Sequence, residues 1–61
     1  MVKRKLNIAV IDDEQHAIET LVYDLREAFQ QQIEILFTAT NPFEGARQVR
    51  LFKPDILFWI L

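Results

Sequence analysis

The 61-residue chain has no cysteine, one glycine, two prolines and one histidine. Without cysteine there is neither a disulfide nor a thiolate zinc site, which fits a reducing, cytoplasmic setting. A lone histidine leaves too few ligands for structural zinc. The single glycine rules out a glycine-rich phosphate loop. The partners for a Ser-His-Asp or Cys-His constellation are missing. No apolar run approaches the ~20 residues that cross a bilayer. Lys3-Arg4-Lys5 followed by Leu6 to Ile11 has the outline of a secretory leader. Its apolar part is too short, and Asp12-Asp13 closes it without a small-residue cleavage site. Seven basic residues against nine acidic give a net charge of −2. That balance argues against nucleic acid as a direct partner, and Lys3-Arg4-Lys5 reads as a solvated N-terminal lead.

What is present is globular: 51% apolar and 26% charged residues. The length allows one domain, residues 1–61, with a small core and marginal stability. Leu6 to Ile11 is apolar without strict alternation and bounded by charge, the mark of a strand covered on both faces. Asp13 is placed to cap the helix that follows. Ala17, Ile18, Leu21, Val22, Leu25, Ala28 and Phe29 then recur at helical spacing, opposite Glu19, Thr20, Asp24 and Glu27, over about 16 residues. Gln30-Gln31-Gln32 ends that helix without a glycine, and Ile33 to Thr38 reads as a strand whose Glu34 points to an edge position. Asn41-Pro42-Phe43-Glu44 is a helix start, with a capping asparagine, proline at the first turn and Glu44 where a capping box needs it. Gly45 weakens that first turn by about 1 kcal/mol relative to alanine. The helix runs to about Phe52, Pro54 stops it, and Ile56 to Leu61 is a third strand, apolar throughout. The order βαβαβ predicts an α/β fold with three parallel strands, right-handed crossovers, spatial order 2-1-3 and the helices on opposite faces.

Asp12 and Asp13 then fall at the carboxyl tip of the central strand, where open α/β sheets bind ligands. Paired carboxylates there suit a hard divalent cation such as Mg²⁺; the plainer reading is a helix cap and a solubilising neighbour. Glu14 either lends a third carboxylate or favours the helix N-terminus electrostatically. His16 reads as a solvated helix residue, and Thr38 and Thr40 border the tip of the second strand.

Asn7 to Glu14, Ala39 to Ala46 and Lys53-Pro54-Asp55-Ile56-Leu57-Phe58 together resemble the receiver domain of two-component response regulators, over nearly the whole chain but only the first half of such a domain. The resemblance implies a flavodoxin-like (CheY-like) half domain and a truncated receiver. It implies that Asp12 and Asp13 help hold Mg²⁺, with a histidine kinase as partner in phosphorelay signalling. In that family an aspartate at the end of the third strand accepts the phosphoryl group; here the position holds Ile60. Asp55, at the start of that strand, lies roughly 17 Å from its far end at ~3.3 Å per residue and is no substitute. The chain is therefore expected not to accept phosphate and to bind Mg²⁺ weakly.

The third strand carries a further expectation. Uncovered apolar edges recruit another strand, so a homodimer through Ile56, Phe58, Trp59 and Ile60 is expected, its two-fold axis making the pairing antiparallel in a six-stranded sheet. Trp59 packs under a helix in the plainer account. Two other functions stand beside the switch: an interaction module that dimerises or pairs with an intact receiver through this strand, and a fragment of a Mg²⁺-dependent phosphatase with Asp12 as nucleophile, although such enzymes place an aspartate where this chain has Glu14.

Overall fold

The computed structural model describes residues 4–60. Five elements alternate along the chain: β1 (Leu6–Asp12), α1 (Gln15–Phe29), β2 (Ile33–Ala39), α2 (Pro42–Phe52) and β3 (Ile56–Ile60), with a 3-10 turn at Gln30–Gln32 between α1 and β2. The strands form one parallel sheet in the order β2-β1-β3, as the pattern predicts for half of a flavodoxin-like α/β fold. Leu61, which was expected to continue the third strand, lies outside the described residues.

β1 is central because it alone can be buried on both faces. Ile8, Ala9, Val10 and Ile11 are all buried. Ile8 and Val10 face α1, where Ile18, Leu25 and Ile33 complete the core and Leu21, Val22, Ile35 and Phe58 pack at its margin. Ile11 faces the other way, against Gly45 of α2. The second helix approaches so closely that a Cβ on Gly45 would lie 2.6 Å from Ile11 Cδ1. The residue read from the sequence as a weak point of the helix is therefore what lets the helix sit on the sheet.

β2 is the edge strand expected from Glu34, and it runs one residue longer than predicted, through Ala39. Its register against β1 slips between Ile8 and Ala9, which pair with Ile35 and Phe37 and leave Leu36 as a bulge. Phe37 stacks at a tilt on Phe52, ring centres 6.0 Å apart, tying β2 to the end of α2.

The helix ends correct the sequence reading in three places. Asp13 does not cap α1. Glu14 is the N-cap, and its carboxylate accepts the His16 N–H at 2.9 Å. The turn begins one residue later because Asp12, the last residue of β1, accepts the Glu14 N–H and occupies the site the cap would have used. At α2, Asn41 caps as expected, accepting the N–H groups of Phe43 and Glu44. Glu44 does not reach back to close a capping box; Arg47 takes its carboxylate instead. Finally, α2 ends at Lys53, whose left-handed backbone (φ 52°) returns its N–H to the Val49 carbonyl, so Pro54 follows a helix already finished. Gln30, also at positive φ, plays the corresponding part after α1. Because Asn41 satisfies two otherwise orphaned donors, Asn41→Ala is expected to cost about 1 kcal/mol. In a chain this small that lowers Tm by roughly 4–8 °C, to be read by thermal melting.

Candidate functional site

Strand periodicity sends Asp12 to the end of the buried strand, and its carboxylate goes in with it. Asp12 is 5% exposed. One of its oxygens accepts the Glu14 N–H at 2.9 Å, and no cationic side chain pairs with it among the described residues. A buried carboxylate with a single hydrogen bond and no counter-charge is costly unless something positive sits against it. Asp13 is exposed beside it at the mouth of α1. The donor set, consecutive hard carboxylates at a strand tip, is of the kind that fits Mg²⁺ chemistry. Among the described residues no group of three or more acidic or histidine side chains gathers there, so the pair stands alone.

The reason the pair has no third carboxylate is visible in the register. Asp12 pairs with Ile60 on β3. In a parallel sheet paired residues project to the same face ~4.8 Å apart, so Ile60 occupies the place from which a third acidic group would join the pair. Glu14 does not fill it, since its carboxylate is engaged in capping α1. That engagement also removes the acidic residue on which a phosphatase reading with Asp12 as nucleophile would lean. His16 is solvated as expected, its ring 3.7 Å from Glu19 on its own helix.

Thr38 and Thr40 line a second, polar cleft of about 290 Å³ with Gln15, Asn41, Glu44 and Gln48, beyond the tip of β2. Within the same neighbourhood the Oε1 of Gln48 is buried without a hydrogen-bond partner among the described residues.

The sequence reading missed Asp55. It lies at the opposite end of the sheet from Asp12, immediately before β3. It accepts a forked pair of bonds from the Arg4 guanidinium at 2.9 and 3.1 Å and the Asn7 N–H at 2.7 Å, while its own N–H donates to the Asn7 carbonyl. Arg4 and Lys5 are exposed, as a solvated lead should be, and Arg4 in addition clasps the start of β3; Lys3 lies outside the described residues. The signal was present only as a Pro-Asp placed before an apolar strand, and its partner lies 51 positions away.

Arg4 foremost, and then the Asn7 N–H, hold the Asp55 carboxyl below the usual carboxylate range, and Arg47 does the same for Glu44. A carboxyl whose folded pKa is depressed contributes its stability fully above the unfolded pKa of about 4. That contribution disappears as pH falls through the folded value. Tm is accordingly expected to be flat from neutrality to about pH 5 and to fall below about pH 4. Melting curves across this range check it, and Asp55→Asn should flatten the acid limb; both groups are exposed, so the effect is modest and shrinks in high salt.

The fold is half of a flavodoxin-like α/β unit with an acidic strand tip, and open α/β sheets bind their ligands outside the carboxyl ends of the strands. The comparisons with known proteins narrow the class. The chain is 40% identical over 53 residues to a protein of Vibrio cholerae serotype O1 described as an uncharacterized response regulatory protein. The aligned stretch takes in 87% of this chain and 22% of the relative, so the chain spans about a fifth of that protein's length. In sequence the chain is response-regulator-like. No family model matches it, and no solved structure matches it. No helix among the described residues is long and apolar enough to cross a membrane.

Proposed function

We propose that the chain is the first half of a receiver module from two-component phosphorelay signalling, a signalling element and not a catalyst, working in the cytoplasm with a histidine kinase as the partner of the intact module. The observation that carries this reading is Asp12, buried without a counter-charge at the tip of the central strand and level with Ile60. In this reading Asp12 and Asp13 hold Mg²⁺. The ion would neutralise phosphate charge, and phosphoryl transfer depends mainly on such positioning and electrostatics. Asp12 holds one oxygen in place through the Glu14 N–H, which leaves the other for the ion. With Ile60 at the acceptor position, no carboxylate of this chain receives the phosphoryl group, and cation binding is weak. Incubation with acetyl phosphate and Mg²⁺, followed by intact mass, is expected to show no added phosphate. A calorimetric Mg²⁺ titration is expected to show weak binding that Asp12→Asn abolishes. Phosphate uptake at any residue, or Mg²⁺ binding untouched by Asp12→Asn, overturns the reading.

A second reading rests on β3. Four of its five residues, Ile56, Leu57, Trp59 and Ile60, are exposed apolar side chains, and its outer edge is unpaired among the described residues. Neither helix packs extensively on this strand; both sit over β1 and β2. Phe58 alone reaches the core under α1, while Trp59, level with Ile11, projects to the α2 face. Antiparallel pairing about Phe58 sets Ile56 opposite Ile60 and Leu57 opposite Trp59 of a second copy, apolar against apolar throughout. The interaction-module reading is therefore a homodimer through β3, or a complex with an intact receiver through the same strand. Light scattering should give a dimer that Trp59→Lys dissociates; a soluble monomer at high concentration sinks it.

A further inference from the structure

The other edge of the sheet carries a feature that neither reading uses. α1 overhangs the open edge of β2 and leaves a groove of about 460 Å³ between them. Its floor is Ile18, Val22 and Ile35, and its ends are polar. A volume of this size, mostly apolar with a few polar groups, is typical of ligand sites. From Gln15 at one end to Arg26 at the other, the helix advances roughly 16 Å at ~1.5 Å per residue. About five residues of extended chain cover that distance at ~3.3 Å each.

Charge distinguishes the two ends. Glu19, on the rim, is already held by Gln15 Nε2 at 3.2 Å and lies near the His16 ring. Arg26, in the last turn of α1, has no hydrogen-bond or ion-pair partner among the described side chains. A lone guanidinium over an apolar floor selects an anionic group attached to an apolar body.

We propose that this groove takes an extended peptide segment, which adds to the edge of β2 as a strand, sets apolar side chains under α1 and offers an acidic residue to Arg26. Addition of a strand to a sheet edge draws affinity from main-chain hydrogen bonds and specificity from pockets for alternate side chains, and both are present here. A second copy of this chain is the wrong occupant. Ile33 and Ile35 face α1, so Glu34 between them faces the other side of the sheet. A two-fold axis through the β2 edges keeps Glu34 on that side, away from Arg26, and drives the two overhanging α1 helices into each other. The bulge at Leu36 further shortens the regular edge and favours a short segment over a full strand.

The test uses the ¹⁵N-labelled chain and a capped peptide, acetyl-Val-Thr-Leu-Thr-Asp-amide, titrated to millimolar concentration. Two controls go with it: the same peptide with Lys replacing Asp, and one N-methylated at alternate central residues. Expected are amide shifts confined to β2 and the groove face of α1, lost with the N-methylated peptide. The Asp peptide should bind about threefold to fivefold more tightly than the Lys peptide, the size of a single exposed charge pair. Arg26→Glu, at an exposed position, should reverse that preference. No shifts, shifts centred on β3, equal response to all three peptides, or an unchanged preference in Arg26→Glu each overturn the proposal.

Discussion

Gly45→Ala is expected to destabilise the protein by about 1–2 kcal/mol, although alanine is the better helix former. Two opposed effects meet at this residue. In an exposed helix the change would gain up to about 1 kcal/mol. Here the new methyl lands 2.6 Å from Ile11 Cδ1, 2.9 Å from Cγ1 and 3.2 Å from Cγ2. Ile11 cannot step aside, being 1% exposed in the central strand and held on both flanks by β2 and β3. Overpacking of this kind costs about 1–3 kcal/mol, and in a chain with so small a core that fraction of the total is large. Gly45→Val adds a branched Cβ at the same contact and should leave the chain largely unfolded. The decisive measurement is a double-mutant cycle by urea denaturation. Ile11→Ala alone is destabilising through lost burial, by about 2–5 kcal/mol. In its background all three clashing atoms are gone, and Gly45→Ala should become neutral or stabilising. A penalty of the same size in both backgrounds would show that the close approach to Ile11 is not the cause.

That contact also marks where sequence reasoning stops. The apolar run Leu6 to Ile11 announces a strand buried on both faces, because its composition leaves no polar side to put toward water, and it is central in the sheet. Asn41-Pro42 announces a helix start through local chemistry alone, since a side-chain acceptor and a fixed φ act within the turn that contains them. The acidic tip at Asp12 followed from the same logic: a strand that ends in carboxylates must present them at its end. Gly45 was legible as a local weakness, but its purpose lies in Ile11, 34 positions earlier, and only the packed helix reveals it. Asp55 was legible as a carboxylate at the wrong end for catalysis; its clasp on Arg4 and Asn7 depends on β1 and β3 lying side by side. The shift of the α1 cap from Asp13 to Glu14 has a smaller origin. Aspartate is the better cap by local chemistry, yet the turn that follows Asp12 sets Glu14 at the position, and local preference alone does not reveal that. The groove beside β2 exists only as the gap between two elements, and no residue pattern along the chain encodes a gap.

On the proposed reading, Ile60→Asp is expected to turn the acidic pair into a strong cation site, and to do so at a visible cost when no cation is present. Ile60 is 46% exposed, so little packing is lost on replacing it. Its register partner is Asp12, already buried with one hydrogen bond and no counter-charge. A second carboxylate about 5 Å away across the parallel ladder repels the first. In EDTA the variant should therefore melt several degrees below the unsubstituted chain. Mg²⁺ reverses the sign of that interaction, because three oxygen ligands now converge where two stood alone. The affinity should rise at least about tenfold, equivalent to about 1.4 kcal/mol. Millimolar Mg²⁺ should then restore the melting temperature to or above its starting value, since a ligand that binds only the folded state stabilises it in proportion to the logarithm of its saturation. Trp59, the single tryptophan, adjoins position 60 and offers a fluorescence readout of the same titration. Two controls separate a metal site from a generic charge effect. Ile60→Asn has similar shape and no charge, and should show neither the loss in EDTA nor the recovery in Mg²⁺. Asp12→Asn combined with Ile60→Asp should keep the stability in EDTA and lose the Mg²⁺ response. If Ile60→Asp melts at the same temperature in EDTA and in Mg²⁺, positions 12 and 60 do not share a ligand, and the receiver reading of this strand tip fails with them.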